Sequence, residues 1–202
     1  MQRRDNYAIQ TQAARQRFLT YDQETMIRKF RLDHDETYLY ITMLALPYRI
    51  HRTTGNLQRQ ERGNWVDAMT HGEVLTLYDL LCDAREDRCL SGRFMATQNF
   101  GSMFHRSLAE EPRDPLAEVF DRDPERFRRA CLALGGVELP FGDLAYRVEL
   151  FDGLPMAIHF WHSDEEFPAQ LRFFWDANAL RYIRYETMYY AVGLLRKRLE
   201  QA

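Results

Sequence analysis

The sequence predicts an α+β fold of small antiparallel sheets, each covered by a helix, and three observations carry that expectation. Residues 146–151, 156–161 and 171–175 are runs of β-branched and aromatic side chains separated by turn residues, the composition of strands. Behind them Met188, Val192, Leu195 and Leu199 recur at helical spacing, a stripe wide enough to cover a sheet face. Residues 38–51 and 146–159, superposed without a gap, share a tyrosine at the start, Leu-Pro in the middle and Ile-His at the end. Chance agreement between two aromatic-rich hairpins is the competing account of that match. The alternative is two pseudo-repeated halves, 20–84 and 123–200, joined by a connecting region at 85–122 in one compact unit of 202 residues.

Residues 7–32 are good helix formers, and Ile9, Ala13 and Phe18 followed by Met26, Ile27 and Phe30 predict two short helices with a break near Leu19. Thr20-Tyr21-Asp22-Gln23 has the capping-box pattern, so Thr20 is expected to cap the second. Residues 38–44 and 48–51 are predicted strands, and Thr53-Thr54-Gly55-Asn56 turns the chain toward a third at Leu57. Thr70-His71-Gly72-Glu73 is a full capping box ahead of Val74, Leu77, Tyr78 and Leu81, one helical face. In the connecting region only 93–97 resembles a strand, while Phe100, Met103, Phe104 and Leu108 are apolar enough to pack on the body. Asp123 ahead of Pro124 predicts a helix start, Phe127, Cys131 and Leu134 its buried face, and Gly135-Gly136 its end. Asp152-Gly153 suits a tight reversal, and residues 163–168 a longer acidic turn.

Composition narrows the partners. A chain with 46% hydrophobic and 28% charged residues and a formal net charge of -3 offers no basic footprint for nucleic acid and no polybasic membrane patch. A small molecule or a second copy of the chain are the partners left open. No apolar run is long enough to span a bilayer, and no apolar stretch follows the paired arginines at the start, so no secretory signal is expected. Cys82, Cys89 and Cys131 cannot all pair internally and form no Cys-x-x-Cys, which points to a reducing cytoplasm and to no metal site. No phosphate-binding glycine loop, dinucleotide fingerprint, His-Glu-x-x-His or nucleophile elbow is present, so the cofactor is unknown.

Leu134-Gly135-Gly136, Gly142-Asp143, Leu154-Pro155, Asp164-Glu165-Glu166-Phe167-Pro168 and Tyr185-Glu186 together resemble a bacterial family catalogued as domain of unknown function 3786. Leu90-Ser91-Gly92-Arg93-Phe94, after the helix at 75–81, resembles its amino-terminal part. The resemblance covers most of the chain and implies a cytoplasmic protein of the kind found in anaerobic bacteria, with no activity to carry over. Some relatives carry a cysteine-rich iron-sulphur segment. The scattered Cys82, Cys89 and Cys131 depart from that arrangement, so no cluster held by this chain alone is expected.

Three functional readings follow. The first is a small-molecule-binding or accessory module with an aromatic-lined pocket near His159, Trp161 and Trp175, to which Tyr185 and His51 are further candidate ligand-binding residues. His51 and Arg49 would form the second half of a pseudo-symmetric site with His159. The second is an enzyme, with Glu165, Glu166 and His159 as candidate catalytic groups, because imidazole and carboxylate can share acid/base work. A glutamate held against Trp161 or Trp175 would have its pKa raised as a general acid requires. Strand geometry argues against His159 and His162 sharing one ion, since side chains three apart point to opposite faces. The acidic triplet also has a structural account, a solvated turn in which Asp164 bonds backbone donors. The third reading is a self-associating structural module with an exposed patch from Tyr182, Tyr185, Tyr189 and Tyr190 near Arg181 and Arg184.

Overall fold

The computed structural model describes residues 2–67, 70–100 and 114–201. The chain divides into two compact units. The first runs to Arg88 and resumes at Arg181–Ala191; the second is Cys89–Leu180 and continues from Val192. The first holds α1 (Gln2–Thr20), α2 (Gln23–Phe30), five strands and α3 (His71–Asp83). Its strands β1 (Asp33–His34), β2 (Tyr38–Met43), β3 (Leu46–His51), β4 (Leu57–Glu61) and β5 (Asn64–Asp67) lie in chain order in one antiparallel sheet. The second holds β6 (Phe94–Ala96), α4 (Pro115–Arg122), α5 (Pro124–Ala133), β7 (Val137–Glu138), β8 (Leu144–Phe151), β9 (Leu154–Trp161) and β10 (Gln170–Asp176). Its antiparallel sheet has the order β6-β10-β9-β8-β7. Helix α6 (Tyr185–Gln201) begins in the first unit and ends in the second.

The two units share one plan. Helix α2 closes with Arg31 at φ 51° and the Leu32 amide donating to the Ile27 carbonyl, and Asp33 then opens β1 opposite Tyr40. Helix α5 closes with Gly135 at φ 70° and the Gly136 amide donating to the Cys131 carbonyl, and Val137 opens β7 opposite Arg147. Each is the six-to-one closure of a Schellman-type end, reached once with glycine and once without. The reversals match as well: Leu44 and Ala45 at φ 49° and 55° in one, Asp152 and Gly153 at 52° and 74° in the other. Positive φ at both central residues is what a two-residue hairpin turn that preserves strand twist requires.

The ungapped superposition fails by one residue before that turn. An irregularity between Glu149 and Phe151 inserts a residue into β8, so Tyr38 faces His51 while Tyr146 faces Ile158 and Ala145 faces His159. The fifth strands also differ in origin. Strand β5 follows β4 through Arg62 and Gly63, whereas β6 precedes the helices of its unit.

Ala45 is exposed and sits in the left-handed region without glycine's freedom. Replacing it with glycine, the residue the second hairpin uses, should raise stability by about 1 kcal/mol, the usual steric cost of that region for an L-residue. A thermal melt checks this; an Ala45→Gly variant that melts lower would show the turn to be unstrained.

In the second unit the inner sheet face is Leu144, Tyr146 and Val148, then Met156, Ile158 and Phe160, then Leu171, Phe173 and Trp175, all buried. A single helix across these strands was the expectation, and the cover is instead shared. The Phe127 ring of α5 lies 5.7 Å from Tyr146 and 5.6 Å from Phe160, and Phe120 of α4 lies 5.2 Å from Phe127. The end of α6 adds Leu195 and Leu199, both fully buried, and sets the Arg196 guanidinium 5.0 Å from the Phe173 ring. A helix about 10 Å across cannot roof five strands spaced at about 4.8 Å. Met188 of the same stripe is buried with the first unit.

Two further expectations change. Asp22, not Thr20, caps α2, accepting from the Glu24 amide and the Thr25 hydroxyl; Thr20 instead donates back to the Arg17 carbonyl, so α1 extends past Leu19. The region 85–122 contains α4, capped by Asp114, as well as β6. Met103, Phe104 and Leu108 lie outside the described residues. The expected capping box of α3 forms in full between Thr70 and Glu73.

Candidate functional site

The candidate site lies at the carboxy end of β9, where alternation sends consecutive side chains to opposite faces. His159 and Trp161 point to the outer face, with Ala145, Arg172 and Phe174 of the flanking strands beside them. The His159 imidazole sits 4.4 Å from the Phe174 ring and 5.5 Å from Phe141, which stacks on it at 12°. The Trp161 ring is 5.7 Å away, and the Arg172 guanidinium lies 5.9 Å from that indole. His159 Nε2 is inaccessible to solvent and has no hydrogen-bond partner among the described residues. Burial pushes the His159 pKa down, favouring neutral imidazole.

The loop before β8 makes this arrangement. Gly142 has φ 60°, and a Cβ there would meet the Phe160 carbonyl at 3.1 Å and the Trp161 ring at 3.3 Å. Only glycine lets the loop lie against Trp161 and carry Phe141, itself 53% exposed, over His159.

Beyond the end of β9 the chain turns, and His162 packs edge-on against the inner-face ring of Phe160 at 4.9 Å. Its backbone N–H donates to Asp143 Oδ2 at 2.7 Å, and its Nδ1 lies 2.9 Å from Asp121 Oδ1 at the end of α4. Asp121 also accepts from the Ser163 hydroxyl at 2.6 Å and the Ser163 amide at 3.2 Å. Those donors, the Ser163 hydroxyl first and then His162, hold the Asp121 carboxyl below its ordinary pKa. Asp164 forms the expected turn, accepting from the Glu166 and Phe167 amides.

A family model described as Domain of unknown function (DUF3786) matches residues 22–198. The chain belongs to the DUF3786 family. No curated protein and no solved structure matches it. Gly142 and Asp143, two of the residues that carry the DUF3786 resemblance, lie against the end of β9.

The remaining candidates of this DUF3786 chain fall elsewhere. Trp175 is fully buried on the inner face of the sheet, opposite to Trp161, so the two indoles do not line one pocket. Glu165 and Glu166 are exposed on the turn that follows β9. His51 belongs to the first unit, where its Nδ1 accepts from the Thr53 and Thr54 amides at 3.3 Å and staples the turn. Arg49 lies between Tyr38 and Trp65 in that unit, 4.1 and 4.6 Å from their rings. The Tyr185 hydroxyl is 2.6 Å from that of Tyr189. The arginines near it are already engaged, Arg184 with Asp83 at 2.8 Å and Arg181 with Asp87 at 3.3 Å.

Three residues of the site escaped sequence reasoning. Phe174 becomes visible once β10 is registered on β9, two positions beyond the Arg172 that faces His159. Phe141 and Asp121 carried no local signal, because long-range packing alone brings a loop and a helix end to this strand. Among the described residues no helix is long and apolar enough to cross a membrane, and no group of three His, Cys, Asp or Glu could hold a metal.

Proposed function

We propose that the protein is a small-molecule-binding module whose ligand carries a planar ring that stacks on the outer face of the second sheet at His159. The observation that supports this reading is the arrangement around that histidine: rings of Phe141, Phe174 and Trp161 surround one neutral imidazole whose Nε2 has no partner among the described residues. Aromatic walls of this kind suit a stacked planar ring. Among the described residues the lining has no converging carboxylates of the kind that acid/base catalysis on the same face would need. The three free cysteines fit a reducing, cytoplasmic setting; of these Cys82 is buried, its thiol pushed up to about 12 by desolvation.

Native mass spectrometry of the purified full chain, followed by titration with purine, flavin and naphthoquinone probes under tryptophan fluorescence, tests the proposal. At least one probe should bind with a Kd below about 1 mM, an ordinary threshold for a specific small ligand. Phe174→Ala should weaken that binding at least tenfold with the melt preserved. Failure of every probe, together with no co-purified ligand, overturns the reading; so does unchanged binding by Phe174→Ala.

A further inference from the structure

A second chemistry stands on the other side of β9, independent of the aromatic face. His162 is fixed at three points: its amide on Asp143, its Nδ1 on Asp121 and its ring against Phe160. Asp121 receives its two Ser163 donors and His162 Nδ1 only as an ionised, acceptor-only carboxylate, so Nδ1 must carry the proton. Nε2 is then the lone-pair nitrogen of the neutral ring. The His162 side chain is 41% exposed while that of Asp121 is 23% exposed, so the partner carboxylate is the more sheltered of the pair. An imidazole oriented by a carboxylate through Nδ1 is the arrangement that makes Nε2 an effective nucleophile or base.

We infer that His162, oriented by Asp121, is an acyl-accepting imidazole that takes neutral activated esters. Nε2 attacks the ester carbonyl, the carbon–nitrogen bond forms, and the carbon–oxygen bond breaks with its electron pair leaving on the alkoxide or phenolate. The Nδ1 proton stays hydrogen-bonded to Asp121, whose charge balances the acyl-imidazolium. Water then cleaves the acyl-imidazole, so ester and water give acid and alcohol and the ring is restored. The preference for a neutral ester follows from charge: Asp143 holds the His162 amide, and Asp164, Glu165 and Glu166 occupy the same loop, so an anionic substrate is repelled.

The test is the hydrolysis of 4-nitrophenyl acetate by the full chain, set beside the singly negative 4-nitrophenyl succinate. The wild type should release nitrophenolate at least tenfold faster than His162→Gln, a variant that keeps the other five of the six histidines as background. Asp121→Asn, which no longer dictates the tautomer, should fall most of the way to the His162→Gln rate, and the anionic ester should react more slowly than the neutral one. A His162→Gln or Asp121→Asn rate equal to wild type overturns the inference. Because Asp121→Asn could loosen α4, a second measurement uses the wild-type chain alone. Brief carbethoxylation by diethyl pyrocarbonate, mapped by peptide mass, should modify His162 faster than the exposed His34. Equal labelling of the two overturns the inference as well.

Discussion

Glu73→Ala is expected to cost about 3 kcal/mol, the lower end of the penalty for removing one partner of a largely buried ion pair. Glu73 is 3% exposed, and its carboxylate meets Arg59 Nη1 at 2.7 and 2.9 Å, the Tyr48 hydroxyl at 3.1 Å and the Thr70 amide at 3.2 Å. One side chain therefore caps α3, neutralises a guanidinium projecting from β4 and satisfies a buried phenol. Truncation takes that acceptor from all three, while Arg59 keeps its second carboxylate partner, Glu61. Because part of the penalty is the guanidinium losing its more deeply buried carboxylate, the double variant Arg59→Met with Glu73→Leu should recover part of the loss. Urea unfolding followed by circular dichroism measures both, and a single variant within about 1 kcal/mol of wild type would show that solvent replaces the carboxylate.

The same group fixes part of the acid response. Burial alone would raise the Glu73 pKa, but hydrogen bonds from Thr70 and Arg59 outweigh it and leave the pKa below its ordinary value. A carboxyl depressed on folding contributes stability above its unfolded pKa of about 4.3, and that contribution disappears as pH falls through the lower folded value.

Asp176→Ala is the second large effect, with an expected loss of about 2–3 kcal/mol from three part-buried amide donors worth about 1 kcal/mol each. Asp176 is 1% exposed at the end of β10 and accepts from the amides of Ser91, Gly92 and Asn178 at 2.8–3.0 Å. Two of those donors lie just before β6, whose Phe94 pairs with Asp176 itself, so the carboxylate anchors the sheet edge. Asp176→Asn keeps one acceptor oxygen and should lose about half as much. Hydrogen exchange at the Ser91 and Gly92 amides is the sharper measurement, since unchanged protection in Asp176→Ala would mean that β6 holds without its anchor. Burial pushes this carboxyl up and the backbone donors pull it lower still, so its contribution is also present above about pH 3.9 and lost on further acidification.

Sequence reasoning reached these anchors unevenly. Thr70 and Glu73 were legible because a capping box is local, its partners three residues apart. Asp176 accepts from the Asn178 amide two residues on, but its bonds to Ser91 and Gly92 span 85 and 84 residues, and no local pattern encodes them. The Leu44-Ala45 reversal was hidden for another reason: leucine and alanine seldom take positive φ, whereas Asp152-Gly153 announces its turn by composition.

By itself the sequence determined the α+β class, the strands of both sheets other than β1, β5 and β7, the capped helix after the first sheet and the opposite facing of His159 and His162, because periodicity and capping act within a few residues. Only the tertiary structure decided that Trp161 and Trp175 face apart in one sheet, that Phe141 and Phe174 enclose His159, and that Asp121 orients His162. Those relations depend on strand register and on loops carried across long stretches of chain, and register turns on a single inserted residue such as the one in β8.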